Sequence, residues 1–440
     1  MFFVATAASE EPFVHRRGSH LFLGPQPFRF GGTNEYWLGR GEDGALKRIP
    51  SKWAIEDGLL TAAGMGLSVV RSHSIGISTG HSDSFEPRLG VFNHSALDSA
   101  DYAIAVAERA GLRLVVPLTN NGCHVAGCRQ DFTSWLGITN HTQFYLNHTA
   151  IAAFRAYVEQ RLNHVNPYTG RKAKDEPAIL AWESGNELTL LDNNKGGPPG
   201  QWTCGLARFV KSIDANHLFL DGAYGVDPAT LNCSEVDIHS NHYYPCDANR
   251  LVTDAAACER AGKPLLIGEY GWPTDEDKRA AFLRAAEETT NVVGTAFWST
   301  FPHSDDYGFV QHGDGFTFHY PGDDDAMQRF GAQARQHSYR MRGLPEPPPL
   351  GAPLTAPIIT AANATHVAWA GAALAANYSV AVRAAGSGGP WQLVCDRCAS
   401  DNDTPLRIGG GGIAAGSSVQ VTGYGLTGRA SPASKVWPVG

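Results

Sequence analysis

Short apolar runs alternate with amphipathic stretches between residues 28 and 301. Continuous apolar runs are typical of parallel strands, because helices cover both faces of a parallel sheet. We predict eight strands, at Phe28–Asn34, Leu67–Ser74, Leu112–Asn120, Ile179–Asn186, His217–Asp221, Val236–Tyr243, Pro264–Tyr270 and Gly294–Thr300. Eight strands that alternate with helices predict an α/β fold, the closed (β/α)8 barrel known as the TIM barrel.

The stretches between these runs predict helices. Their apolar residues recur at three- and four-residue spacing, which is the period of a helix that buries one face. The predicted helices are Lys52–Ala63, Ala96–Ala110, Ala150–Asn163, Leu206–Asp214, Arg250–Ala261 and Asp275–Glu288. Gly111 and Gly262 follow two of them, at positions where a helix commonly ends before the next strand.

The composition changes beyond Arg342. Residues 343–353 are rich in proline and predict a semi-rigid linker. The later segments are short and β-like, which is typical of a small all-β sandwich. Trp369, Tyr378 and the terminal SPASK resemble a fibronectin type III module, for which we expect a packing or spacer role rather than carbohydrate binding. We therefore divide the chain into an N-terminal segment (1–24), the barrel domain (25–342), the linker (343–353) and the sandwich (354–440).

Charge and hydropathy narrow the class of partner. The formal net charge is −8, and 43% of the residues are hydrophobic. A negative balance disfavours nucleic acid or an anionic membrane surface as partner. No run of 18 apolar residues is present, so we expect no membrane span. A neutral polymer such as a polysaccharide fits better, and we expect a monomer without metal or organic cofactor.

Cysteine and asparagine patterns indicate the secretory route. Eight cysteines stand at positions 123, 128, 204, 233, 246, 258, 395 and 398. Seven glycosylation sequons begin at Asn93, Asn140, Asn147, Asn232, Asn363, Asn377 and Asn402. Together they favour an extracellular, disulfide-bonded glycoprotein. The start, MFFVATAASEEPF, is interpreted as the remnant of a signal peptide.

Three cysteine pairs are close enough in sequence to suggest local bridges. Cys123 with Cys128 and Cys395 with Cys398 could each close a loop, and Cys246 with Cys258 could tie a loop to the next helix. Connectivity does not follow from sequence alone. Metal binding is the rival interpretation of the Cys395-x-x-Cys398 spacing.

Two predicted strands end in a glutamate. The fourth strand continues into Asn186-Glu187, and the apolar run of the seventh stops at Gly268-Glu269. In a barrel the carboxyl ends of all strands meet at one face, where the chemistry of the fold is found. Two such carboxylates are what a sugar hydrolase needs, one as an acid and one as a nucleophile. We assign Glu187 as acid/base and Glu269 as nucleophile, with Asn186 as a donor to the sugar 2-hydroxyl.

Several stretches resemble glycoside hydrolase family 5, in particular the fungal and plant-type endo-β-1,4-mannanases. These are FYLN, YVEQRLNHVNPYTG and DEPAILAWE with the final NE, Gly32-Thr33-Asn34 on strand one, and DIHSNHYYP at residues 237–245. The resemblance covers about residues 25 to 320. It implies a retaining hydrolase of β-1,4-mannan.

The resemblance also implies roles for four further residues. Arg71 is similar to the strand-two arginine that holds the nucleophile ionised, and Tyr244 to the tyrosine that hydrogen-bonds it. His242 is similar to the histidine near the acid/base. Trp298 is similar to the tryptophan that forms the floor under the cleaved sugar.

The chain departs from the family pattern at two places, which leaves alternatives open. Leu188-Thr189 follow the acid/base where mannanases usually have proline and then arginine, and residues 122–128 carry a possible disulfide where an aromatic-rich stretch is common. A β-1,4-glucanase and an exo-β-mannosidase are therefore alternatives within the family. Outside it, the alternatives are a non-catalytic glycan-binding protein and a metalloenzyme built on His73, His239 and His242.

Overall fold

The computed structural model describes residues 12–42, 48–190, 197–386, 388–409 and 412–440. The interpreted signal-peptide remnant falls mainly on residues 1–11, outside these ranges. The described chain begins with a small antiparallel sheet formed by β1 (Val14–Arg17), β2 (His20–Leu23) and β3 (Gln26–Pro27). Val14 and Leu21 of this sheet are buried in one cluster with residues at the amino-terminal ends of the barrel strands. The sheet therefore closes the barrel at the end opposite the predicted site.

Eight parallel strands form a closed barrel, as predicted. They are β4 (Phe30–Asn34), β5 (Val69–Arg71), β6 (Arg113–Pro117), β7 (Ile179–Glu183), β8 (Leu218–Asp221), β9 (Ile238–Tyr243), β10 (Leu265–Gly271) and β11 (Val292–Trp298). The second, third and fourth strands are shorter than predicted at their carboxyl ends. Their polar last residues leave the ladder and form loops around the mouth of the barrel.

Helices surround the barrel, and all six predicted ones are present. The helices are α1 (Lys52–Gly64), α2 (His73–Gly76), α3 (Asp98–Ala110), α4 (Arg129–Trp135), α5 (His148–Asn163), α6 (Gly200–Ile213), α7 (Ala248–Arg260), α8 (Glu276–Glu288) and α9 (Asp325–Met341). Gly111 ends α3 with a φ of 73°, a left-handed conformation that glycine adopts without steric cost. The long α9 was not predicted, although it buries Met327, Phe330 and Ala334 at helical spacing.

The chain after the linker forms two packed antiparallel sheets, as predicted. Their strands are β12 (Ile358–Ala362), β13 (His366–Ala370), β14 (Asn377–Arg383), β15 (Gln392–Ala399), β16 (Leu406–Arg407), β17 (Ser418–Tyr424) and β18 (Trp437–Pro438). One sheet has the order β12-β13-β16 and the other β15-β14-β17-β18. Trp369, Tyr378 and Val421 lie in the core between them.

Cysteine pairing agrees with the sequence interpretation in two of its three suggestions. Disulfides join Cys123 to Cys128 and Cys395 to Cys398, and a third bridge joins Cys204 to Cys233. The suggested bridge between Cys246 and Cys258 is wrong, because both thiols are free and buried. The Cys246 sulfur contacts the Gly271 carbonyl and the Thr274 hydroxyl instead.

None of the described helices is both long enough and apolar enough to cross a lipid bilayer.

A buried histidine lies between the barrel and the sandwich. His303 follows β11 and is 1% exposed. Its Nδ1 lies 2.9 Å from Asp57 of α1, and its Nε2 lies 3.3 Å from Asp401 of the sandwich. Burial alone lowers the pKa of His303, but the two carboxylates outweigh it and raise that pKa to about 10. His303 therefore stays charged in the folded protein across the neutral range.

We expect His303→Gln to lower the thermal stability most at or below pH 6.5. The charged histidine stabilises the fold fully below its unfolded-state pKa of about 6.5, and this contribution is lost as the pH rises through about 10. The gap in melting temperature between wild type and variant should therefore shrink from pH 6.5 to pH 10. Thermal melts by circular dichroism measure it, with exposed His148→Gln as control. A gap that does not change with pH would contradict the charged state of His303.

Candidate active site

The carboxyl ends of the barrel strands bring six of the seven predicted site residues into direct hydrogen-bond contact. The six are Arg71, Asn186, Glu187, His242, Tyr244 and Glu269. Trp298 lies beside them at the end of β11 and lines the same cleft as the two glutamates.

The two glutamates face each other across the mouth of the barrel. The closest oxygens of Glu187 and Glu269, together with a nitrogen of His242, all lie within 4.8 Å of one another. His242 Nδ1 is 2.8 Å from a Glu187 oxygen and 3.4 Å from a Glu269 oxygen. The Glu269 side chain is 7% exposed, whereas that of Glu187 is 29% exposed. One carboxyl is thus enclosed, and the other opens to the cleft.

Arg71 is the centre of the hydrogen-bond network. Its side chain is 1% exposed. It donates one hydrogen bond of 2.9 Å to Glu269 and one of 2.7 Å to the side-chain oxygen Oδ1 of Asn186. The same guanidinium donates to Asn34 and to His73. One buried cation therefore positions both the predicted nucleophile and the residue before the predicted acid/base.

Glu183 belongs to this network, although sequence reasoning missed it. It ends β7 and accepts two parallel hydrogen bonds from Arg71, of 2.8 and 2.9 Å. Its side chain is fully buried. Such a bidentate pair fixes the plane of the guanidinium. A lone glutamate that closes the apolar run ILAW was the available signal, because a charged residue there needs a buried partner.

The surroundings of Glu269 keep it ionised. Burial alone raises the pKa of Glu269, but the charge of His242, the nearby His73 and the charge of Arg71 outweigh it and hold that pKa far below its usual range. The Tyr244 hydroxyl donates a hydrogen bond of 2.9 Å to the other Glu269 oxygen. Burial and the nearby Glu269 raise the pKa of Tyr244, so the hydroxyl keeps its proton.

The pKa values of the two histidines beside Glu269 are shifted in opposite directions. Burial lowers the pKa of His73, and the charge of Arg71 lowers it further, despite the nearby Glu269. Burial also lowers the pKa of His242, but Glu269 and Glu187 outweigh it and raise that pKa above the ordinary value. His242 therefore favours its charged form more than His73 does, and it lies between the two glutamates.

Glu187 has a strained backbone. Its φ is 51°, in the left-handed region that residues other than glycine rarely adopt. The neighbouring chain holds this conformation, since the Leu188 amide donates to the Gly222 carbonyl and the Asn186 amide donates to the Thr119 carbonyl. Such strain is common at functional sites, where the surrounding structure enforces it.

An aromatic surface forms the other side of the cleft. The rings of Trp298 and Tyr36 stack with their centroids 5.6 Å apart. The Trp298 indole nitrogen donates a hydrogen bond of 2.6 Å to Asp314, which also contacts His312. The cleft encloses about 240 Å³ between this surface and the two glutamates. A larger cavity of about 500 Å³ lies along α5 and α6, but no acidic side chain lines it.

The geometry leaves little room for a metal ion between the glutamates. Among the described residues, Glu187, His242 and Glu269 form the one cluster with suitable spacing. However, both Glu269 oxygens already accept hydrogen bonds, one of them from the positively charged Arg71. His239 of the predicted metal trio lies outside this cluster and faces Asp221, and burial together with Lys263 lowers its pKa to about 4.

The chain is similar in sequence to a known protein family and to plant proteins. The family described as "GH family 5 beta-mannosidase-like" matches residues 11–246. A mannan endo-1,4-beta-mannosidase 3 of Arabidopsis thaliana is 26% identical over 350 residues, which are 66% of this chain and 82% of the relative. A mannan endo-1,4-beta-mannosidase 2 of rice, Oryza sativa subsp. japonica, is 31% identical over 54% of each chain.

Solved structures agree with the family match. The endo-1,4-beta-mannanase of Rhizomucor miehei superposes with a TM-score of 0.63 at 25% identity, covering 75% of this chain and 99% of its own. The endo-beta-1,4-mannanase of Thermotoga petrophila, at 20% identity and a TM-score of 0.61, covers 94% of this chain and 98% of its own, and this likeness shows the fold alone. The family match covers more than half of the chain, and the chain therefore belongs to glycoside hydrolase family 5, in its beta-mannosidase-like group.

Proposed function

We propose that this glycoside hydrolase cleaves β-1,4-mannosidic bonds within mannans by a retaining double displacement. The observation that carries the mechanism is the short separation of the two carboxylates, whose closest oxygens lie within 4.8 Å. Retaining enzymes place the two carboxyl groups about 5–5.5 Å apart, whereas inverting enzymes leave about 6.5–9.5 Å for a water molecule.

The reaction assigns one role to each glutamate. The Glu269 carboxylate attacks the anomeric carbon while the Glu187 carboxylic acid donates its proton to the departing glycosidic oxygen. This step forms a glycosyl ester on Glu269 and releases the leaving sugar chain. Glu187, now a carboxylate, takes a proton from a water molecule that attacks the same carbon and frees Glu269. The anomeric configuration is retained because it is inverted twice.

The charges around the pair support this division of roles. Arg71 and Tyr244 donate to Glu269, and the charge of Arg71 favours its ionised form. Two carboxyl groups this close interact strongly, so a single proton goes to the one whose charge is less stabilised. Glu269 is therefore the member of the pair that begins ionised, as attack by the nucleophile requires.

Asn186 and Trp298 are proposed to hold the sugar. Arg71 fixes the side-chain oxygen Oδ1 of Asn186, and the side-chain nitrogen Nδ2 donates to Asn120 while Asn186 faces the cleft. Its remaining N–H is available to the sugar 2-hydroxyl, a contact that strengthens in the transition state. The Trp298 ring offers an apolar face to the C–H groups of the sugar bound beside Glu269.

Mannan is the proposed substrate because the matched relatives are named mannan endo-1,4-beta-mannosidases. The two-glutamate chemistry could cleave any β-1,4-linked hexopyranose. The proposal of mannan as substrate is therefore supported by these relatives, and the proposed mechanism by the geometry of the site. We further propose a secreted, monomeric glycoprotein with the domain boundaries given above. Its three disulfides support this, as do the exposed sequon residues Asn93, Asn140, Asn232, Asn363 and Asn402.

We expect the wild type to release reducing sugar from β-mannan, and Glu269→Ala and Glu187→Ala each to lower kcat by about 10³-fold or more, because each removes a group that reacts. Proton NMR of the first product should show the β-anomer. Exposed Glu159→Gln, on α5, is the control. An initial α-anomer would contradict the retaining mechanism. Activity on cellulose alone would replace mannan as substrate, and activity on no polysaccharide would favour a glycan-binding protein.

We expect His242→Gln to move the acid limb of the kcat/KM profile to higher pH. The folded-state pKa of Glu269 is depressed, so its carboxylate survives at pH values where an ordinary glutamate is protonated. The charge of His242 is the largest of the effects that depress it, and its removal raises that pKa. Rates on soluble mannan between pH 3 and pH 7 test the shift, with His366→Gln in the sandwich as control. An acid limb that stays in place would exclude this role.

We expect Glu183→Gln to lower both stability and activity. Neutralising one partner of a buried ion pair costs about 3 kcal/mol of unfolding free energy. The substitution also weakens the paired hydrogen bonds that fix the orientation of the Arg71 guanidinium toward Glu269, so kcat/KM should fall at least tenfold. Urea unfolding and mannan hydrolysis measure the two effects, and Glu159→Gln again serves as the matched control. Lost stability with unchanged kcat/KM in the folded fraction would reduce Glu183 to a purely structural residue.

A further inference from the structure

The loop after β11 connects the active site to the sandwich. This loop, residues 299–324, begins directly after Trp298 and ends at α9. It contains Asp314, which accepts the hydrogen bond from the Trp298 indole. It also contains His303, which lies at the domain boundary. The position of the aromatic surface in the cleft therefore depends on how this loop is held.

Contacts from both domains enclose His303. Asp57 of α1 meets its Nδ1, and Asp57 also accepts the His303 backbone amide at 2.8 Å. Asp401 meets its Nε2 from the sandwich side and is itself held by the Tyr378 hydroxyl at 3.1 Å. Gly371 of the sandwich packs so closely that an added Cβ would collide with His303 and Asp401.

Two further contacts join the sandwich to the barrel. The Thr360 hydroxyl donates a hydrogen bond of 2.6 Å to the Asp306 carbonyl of the loop. Leu374 lies in the hydrophobic core of the barrel and fills the space beside Gly64 of α1. A module that merely spaces or tethers would not place its own side chain in the barrel core. The sandwich is therefore packed as part of the catalytic unit.

Close packing continues along the loop from His303 to the cleft. Phe309 is stacked between His303 and His319, with ring centroids 4.2 Å apart on each side. The Val310 amide donates to the Pro302 carbonyl, and Val310 in turn accepts from His319. His312 then stacks on the ring of Phe301 and lies 3.4 Å from Asp314. The anchored end and the cleft end thus share one continuous set of contacts.

We propose that the sandwich positions the active-site loop, with Asp401 acting through His303 as the anchor that keeps Asp314 and Trp298 in place under the sugar. Asp401 is a positioning residue, since it touches neither the substrate nor the reacting groups. Separating the charged histidine from the two carboxylates costs free energy, because each charge would then be buried without a partner of opposite sign. The role of Trp298 in this inference rests on the proposed function. The coupling between the two domains rests only on the contacts described above.

The test is a double-mutant cycle between Asp401 and Asp314 in the full-length enzyme. Asp401→Asn should lower kcat/KM on mannan about tenfold, since small misplacements at a site cost large factors in rate. In the Asp314→Asn background the same change should have less than a threefold effect, because the contact through which it acts is already gone. Asp403→Asn, two residues away in the same turn and exposed, is the control and should stay within twofold.

Equal effects of Asp401→Asn in both backgrounds would overturn the proposal, as would no effect in either. Thermal melts establish that each variant is folded at the assay temperature. Should Asp401→Asn not fold, Thr360→Val removes the milder loop contact and is expected to lower kcat/KM twofold to threefold in the same cycle. Independent effects of Thr360→Val and Asp314→Asn would likewise overturn it.

Limited proteolysis separates failure of this inference from failure of the proposed function. Tyr307 of the loop is 48% exposed and offers a chymotryptic site. Cleavage there should be faster in Asp401→Asn than in Asp403→Asn, whatever glycan the enzyme hydrolyses. Equal cleavage rates would show that Asp401 does not hold the loop. If mannan is not the substrate, the double-mutant cycle is measured on the polysaccharide that the wild type cleaves. The rates of proteolysis test the inference even if the wild type cleaves no polysaccharide.

Discussion

The ion pair between Arg71 and Glu183 is the interaction on which the rest of the site depends. Both side chains are buried, and a buried charge is tolerated only when it is paired and hydrogen-bonded. Glu183 occupies one edge of the guanidinium with two hydrogen bonds, which leaves the remaining N–H groups directed at Glu269, Asn186 and their neighbours. The pairing of β5, β6 and β7 thereby sets the position of Glu269, the proposed nucleophile.

The same network makes two chemically identical carboxyl groups unequal. Glu269 is enclosed and surrounded by donors and positive charge, whereas Glu187 is more exposed, on a strained backbone, and shares His242 with its partner. A double displacement needs this inequality, because one carboxyl must begin ionised and the other protonated. Distance alone would allow either assignment, and the charges of His242 and Arg71 favour Glu269 as the ionised member of the pair.

The fold and the two central glutamates could be predicted from the sequence because their signals are local. Each barrel strand is one apolar run, and a barrel gathers the ends of all such runs at one face. Glu269 stood out because it closely follows such a run, and Glu187 because it ends the polar stretch that follows another. Glu183 carried a weaker signal, a charged residue at the end of an apolar run, which does not say what its partner is. Its pairing with Arg71 became recognisable only when the barrel placed β7 within reach of a residue more than a hundred positions earlier.

His303 and α9 escaped prediction for a related reason. Three polar residues, Asp57, His303 and Asp401, come from distant parts of the chain, and no spacing rule connects them. The apolar face of α9 was diluted by the many charged and amide residues on its solvent side. The sequence correctly predicted the sandwich as a separate β domain. It did not show that the sandwich and the barrel share buried contacts. Asp401 contacts His303 of the barrel domain, and Leu374 packs in the barrel's hydrophobic core. The linker therefore marks the boundary between two folds, but the two domains are not structurally independent.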